Sequence, residues 1–117
     1  MEIRRFNVAT SLNIATAVIH GQVLYLSGLG PDDLTQDTAG QARQIFARID
    51  SILAEHGTSK DRLLSALAWL RDVESFAEWA AAWKEWIGPE NAPVRATVGA
   101  PLADPSMRVE VMVTAAL

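Results

Sequence analysis

The chain has no cysteine among its 117 residues, which rules out disulfides, thiolate metal sites and a cysteine nucleophile. No apolar run approaches the ~18 residues of a membrane span. The start, Met1-Glu2-Ile3-Arg4-Arg5, also lacks the apolar stretch of a signal peptide. Basic residues are outnumbered by acidic ones, 10 to 14, giving a net charge of -4 and a pI near 5.0. That balance disfavours nonspecific binding to nucleic acid or to an anionic membrane. The two histidines, His20 and His56, have no carboxylate or second histidine at ligand spacing, so no metal site is expected. No G-x-G-x-x-G pattern occurs, and Ser27 has no nucleophile elbow around it, so dinucleotide binding and serine hydrolysis lack support. The expectation is a cytoplasmic, soluble protein without cofactors.

What is present fits one domain over residues 1–117. A chain of this size buries roughly two-thirds of its extended surface, enough for one core but not for a large private cavity. Two amphipathic helices stand out. Ala42, Ile45, Phe46, Ile49, Ile52, Leu53 and His56 recur at helical steps, predicting a helix from about Gln36 to His56 with Gly57 at its C-terminus. The second opens on Ser75-Phe76-Ala77-Glu78, which reads as a capping box, carries Trp79, Trp83 and Trp86, and stops at Gly88-Pro89. These tryptophans are spaced as a core stripe. His56 reads as a favourable charge at the helix end.

The other apolar segments read as strands: Arg4 to Val8, Ala15 to His20, Val23 to Gly28, Leu63 to Leu70, Val94 to Ala100 and Met107 to Ala115, the last two forming a final pair joined by the Pro101 to Ser106 loop. Gly21-Gln22 is a two-residue hairpin signal between the second and third. Leu63 to Leu70 is apolar on both faces, whereas two helices can blanket only one side of a sheet. Something must cover the other side, and another copy of the chain is the simplest cover.

Two strand residues carry candidate chemistry. In Ala92-Pro93-Val94-Arg95-Ala96-Thr97-Val98 and in Arg108-Val109-Glu110-Val111-Met112-Val113, Arg95 and Glu110 stand alone among apolar neighbours. If the two strands are adjacent, a guanidinium and a carboxylate project from one face of the sheet. Arg95 suits bidentate capture of a carboxylate, or a salt bridge. Glu110 needs a partner or a function, because burying a lone carboxylate is costly, and Arg108 or an arginine of another subunit would serve as a partner. Thr97 shares the face of Arg95, where it would bond a ligand or fill a sheet position. Gly28 ends its strand either as a turn residue or as a place where a ligand approaches the backbone.

The whole pattern resembles the Rid family of reactive intermediate deaminases. The resemblance rests on the His20-Gly21 to Ser27-Gly28 hairpin, Gln41, Ile49-Asp50, Leu53, Gly57, Leu70-Arg71-Asp72 and Phe76. It continues through Ala92-Pro93-Val94-Arg95, Leu102 and Val109-Glu110-Val111, the proline-x-arginine and valine-glutamate-valine pieces being the most specific. It implies a chorismate-mutase-like α+β fold, in which a six-stranded mixed sheet carries both helices on one face. It also implies a homotrimer with clefts between subunits, and hydrolysis of 2-imino acids and enamines to 2-oxo acids and ammonia without metal or organic cofactor. By the same resemblance Arg95 holds the substrate carboxylate and Glu110 positions the attacking water, while backbone groups near Gly28 and Thr97 orient the imine. Better-known members have a tyrosine where this chain has Ile14, an asparagine at Ala80 and a cysteine at Thr97. Those departures fall on the pocket walls and keep open a second reading, a non-catalytic trimer that binds a small carboxylate such as a 2-oxo acid.

Overall fold

The computed structural model describes residues 1–117. Six strands form one mixed sheet: β1 (Ile3–Phe6), β2 (Ala17–His20), β3 (Val23–Leu26), β4 (Leu63–Leu70), β5 (Val94–Gly99) and β6 (Val109–Ala116). Two helices join them, α1 (Thr38–Glu55) and α2 (Phe76–Trp86). The order across the sheet is β1-β2-β3-β6-β4-β5. Only β4 and β5 run parallel, because α2 carries the chain back over the sheet between them. This is the α+β architecture that the resemblance implies.

One correction concerns the last two strands. They were expected to pair, yet β4 lies between them and hydrogen-bonds to both. The loop that joins β5 to β6 steps across β4 rather than turning a hairpin. Its course is held from the protein interior. Arg71 donates from Nε to the Met107 carbonyl at 2.8 Å and from a terminal nitrogen to the Asp104 carbonyl at 2.7 Å. Gln41, fully buried on α1, accepts the Arg108 N–H at 2.7 Å and donates to the Ser106 carbonyl at 3.0 Å. Such buried polar groups are tolerable only when satisfied, and here every one of them is.

The core occupies one face. Leu24, Leu26, Ala66, Ala68, Leu70, Val109, Val111, Val113 and Ala115 alternate inward and meet Ile45, Phe46, Ile49, Leu53, Trp79 and Trp83 from the helices. Phe46 stacks on Trp86 with ring centroids 4.3 Å apart and planes within 5°. The tryptophans of α2 are thus the core stripe that their spacing predicts. The intervening strand residues face away and remain uncovered: Tyr25 is 42% exposed, Leu67 46%, Met112 40% and Val98 49%. An uncovered apolar sheet face of that kind is a candidate contact surface.

The helix starts differ from the expected ones. Asp37 caps α1, accepting the Gly40 N–H at 2.8 Å. The expected capping box at Ser75 does not form. Asp72 instead accepts the Glu74 N–H, and Ser75 Oγ donates back to the Asp72 carbonyl. Glu78 is thereby released to accept the Ala39 N–H of α1 at 2.6 Å, tying an orphan first-turn amide of one helix to the other. His56 sits at the C-terminal end of α1 with its ring edge-on to Phe6 at 4.7 Å.

Candidate functional site

The strand register decides where each candidate side chain points. Arg95 lies opposite Ala66 of β4 and Thr97 opposite Ala68, both buried on the helix face. Glu110 lies opposite Trp69, three residues along from Ala66 and therefore on the other face. Arg95 and Glu110 do not share a face, contrary to the expectation drawn from adjacent strands. Within one chain the sheet itself separates them.

Arg95 and Thr97 make the first half of the site. β5 is the edge strand, so the Arg95 side chain leaves the sheet beside α2 and lies over two of its aromatic rings. Its Cζ is 5.2 Å from the Trp83 ring centroid and 6.0 Å from that of Phe76. Cation–π attraction holds the guanidinium without consuming its N–H donors. No acid stands within salt-bridge distance, since the only ion pair in the chain joins Arg43 to Glu85. Thr97 accepts the Trp79 indole N–H at 3.3 Å, which ties the strand to α2 beneath Arg95. Ala80 follows Trp79 on the same helix and is half-buried.

Gly28, Glu110 and Ile14 make the second half. Tyr25 pairs with Thr114, yet Leu29 pairs with Val111, so four steps on one strand match three on the other. The extra residue is a bulge, and it carries Gly28 toward β6. A Cβ placed on Gly28 would lie 2.5 Å from Glu110 Oε2 and 3.4 Å from its Cδ. Only glycine leaves room for that carboxylate. Glu110 is half-buried and makes no hydrogen bond or salt bridge, to Arg108 or to any other residue. On the other side of Gly28 a pocket of about 210 Å³ opens, with Ile14, Thr16, Ser27, Gly30 and Arg48 in its walls.

The two halves carry opposite charges and stand on opposite faces of the sheet. One offers an unengaged guanidinium on an aromatic bed, the other an unengaged carboxylate against bare backbone. The aromatic bed of Arg95 and the position of Arg48 were not visible in sequence. Phe76 and Trp83 sit at core spacing on α2, and a helical pattern cannot say that an edge-strand arginine will cross over them. Arg48 falls on the polar side of α1, where the pattern predicts only solvent.

Comparison with known proteins agrees with this architecture. The family model described as Endoribonuclease L-PSP matches residues 4–117. A RutC family protein of Haemophilus influenzae is 34% identical over 116 residues, covering 98% of each chain. Another RutC family protein, from Haemophilus ducreyi, is 38% identical over 99 residues and 85% of each chain. Among solved structures, an uncharacterized Pseudomonas aeruginosa protein superposes with a TM-score of 0.92 at 36% identity, covering 98% of both chains. A YjgF family member from Neisseria meningitidis gives 0.90 at 37% identity over 99% of this chain and 95% of the other. A match across nearly the whole chain, in sequence and in backbone superposition, means that the chain belongs to the endoribonuclease L-PSP family, the Rid/YjgF family.

Proposed function

We propose that the chain hydrolyses small 2-imino acids and their enamine tautomers to 2-oxo acids and ammonia, as a homotrimer whose sites lie between copies. The observation that carries this reading is Arg95: a guanidinium held by aromatic faces alone, with no acid or acceptor engaged, is a ready receptor for a carboxylate. Assembly is supported by the uncovered apolar face and by the separation of Arg95 and Glu110, which only a second copy can bridge.

The chemistry asked of the site is modest. With the carboxylate clamped, water adds to the imine carbon and forms a C–O bond. The C–N bond of the resulting carbinolamine then breaks, ammonia leaves and the 2-oxo acid remains. Glu110 carries one water proton to the imine nitrogen as the C=N π bond opens, then carries the second, from the carbinolamine hydroxyl, to the same nitrogen as ammonia leaves and the C=O bond forms. Imines hydrolyse spontaneously, so orientation against a weak base supplies a useful rate gain. The reading places the reaction in the cytoplasm. The reading includes no nucleic-acid or membrane partner, and the net charge of -4 supports that, since it disfavours phosphate backbones and anionic surfaces. The RNA cleavage in the family's name gains no support from this charge balance.

The direct test generates an imine with an amino-acid oxidase in the presence of semicarbazide and follows ammonia release. Wild-type protein accelerates release and Arg95→Ala does not. Equal rates with and without protein, across several imines, would refute the reading.

A second reading, a binding module without turnover, draws on Ile14, Ala80 and Thr97, the last of which already accepts the Trp79 N–H. Calorimetric binding of 2-oxobutanoate that requires Arg95, together with no accelerated hydrolysis, would favour it.

A further inference from the structure

Where β4 ends and β6 begins, a cavity of about 260 Å³ is lined by Leu34, Arg71, Pro105, Ser106 and Arg108. It shares no residue with either half of the site described above. Two of its lining residues are arginines and none is an acid. The only salt bridge in the chain joins Arg43 to Glu85, so neither guanidinium has a carboxylate partner.

Arg71 is held in place without being neutralised. Its Nε and one terminal nitrogen donate to the carbonyls of Met107, Asp104 and Leu102 at 2.8, 2.7 and 3.3 Å, and its second terminal nitrogen donates to none of them. Arg108 is fixed through its backbone, whose N–H meets the buried Gln41 side chain at 2.7 Å, while its guanidinium is exposed and unpaired. Ser106 is bonded through its N–H and its carbonyl, which leaves its hydroxyl free. The acids that flank these residues in the chain are engaged elsewhere. Asp33 accepts from Thr35 and Gln36, Asp72 from the Glu74 N–H, and Asp104 from the Ser106 N–H.

Two like charges beside one cavity repel each other unless an anion lies between them. One guanidinium satisfies a planar carboxylate, whereas a second guanidinium and a hydroxyl suit a ligand with more acceptors and more charge. A phosphate group has both, with three strong acceptor oxygens and close to two negative charges at neutral pH. The cavity leaves room beyond a bare phosphate, and Leu34 and Pro105 give that remainder a short apolar wall.

We infer that Arg71, Arg108 and Ser106 form an anion site, separate from the Arg95 clamp, that takes a phosphate group, either free or as the monoester of a small alcohol. The site uses no residue of the proposed reaction, so it stands or falls separately from the deaminase reading.

Calorimetry on the full chain at low ionic strength tests the assignment, with inorganic phosphate and glycerol 3-phosphate as probes. Saturable binding is expected; tighter binding of glycerol 3-phosphate identifies the monoester as the source, and tighter binding of phosphate identifies the free ion. Arg108→Gln, at a side chain bonded to nothing in the chain, weakens the tighter probe about tenfold or more, the loss expected for a charge-assisted hydrogen bond. Arg108→Lys keeps most of the affinity, Ser106→Ala loses a smaller factor, and Arg95→Ala leaves binding unchanged. No saturable binding of either probe, an Arg108→Gln affinity within about twofold of wild type, or loss of binding in Arg95→Ala overturns the site. Binding of 2-oxobutanoate that is equally sensitive to Arg108→Gln overturns the phosphate assignment. Equal competition by chloride marks an adventitious ion only and overturns it as well.

Discussion

Arg95 and Glu110 stand on opposite faces of the sheet, with β4 between their strands, so the guanidinium and the carboxylate cannot meet on one substrate within one chain. Each is unpaired where it stands. Under the function proposed above, one substrate would meet both groups at a boundary between copies.

Subunit complementation tests that relationship. Arg95→Ala and Glu110→Gln are each expected to be inactive, but mixing them in equal amounts under exchange conditions restores about one quarter of wild-type activity, because a shared site needs a particular variant on each side. Activity that stays at background in mixtures shown by native mass spectrometry to be hybrid would mean that the two residues act within the same copy.

Gly28→Ala places a methyl group against Glu110 Oε2. The atom it meets is the far end of a flexible side chain, so the fold tolerates the change while the carboxylate moves. The expected result is a fall in kcat of about tenfold or more, with 2-oxobutanoate affinity nearly kept, since positioning fails before binding does. A wild-type kcat in this variant would remove Glu110 from the reaction.

Phe76→Leu strips one of the two rings under Arg95, at a position that is 45% exposed and costs little stability. Steady-state kinetics should show KM raised about two- to fivefold, in line with an exposed cation–π contact. The melting temperature should hardly change. A lowered melting temperature with unaltered KM would assign Phe76 to packing alone.

Gln41→Leu keeps the volume of the side chain but leaves the Arg108 N–H and the Ser106 carbonyl without their partner. The expected loss is about 2–4 kcal/mol in urea denaturation, the cost of abandoning buried polar groups. Little or no shift in the midpoint would show that water replaces the amide.

Much of the fold was legible in the chain. The 3.6-residue recurrence from Ala42 to His56 and the tryptophan spacing of α2 each identify one buried face, because local periodicity and core burial are the same constraint read twice. Leu63 to Leu70, apolar on both faces, signalled a strand and an uncovered second surface, and the open positions Leu67 and Met112 agree. Local signals failed where a longer-range partner outcompeted them. Ser75 and Glu78 fit a capping box, but Asp72 and the Ala39 amide of the other helix took their places.

By itself the sequence determined the residue types of the site: an arginine and a glutamate on apolar strands, a glycine at a strand end, and Ile14, Ala80 and Thr97 on the walls. Tertiary structure alone decided their relation. Alternation along a strand states that side chains take turns between two faces, but the face taken by Arg95 relative to Glu110 depends on register through β4, which neither segment encodes. The same dependence put Arg95 over Trp83 and set the Gly28 backbone against the Glu110 carboxylate.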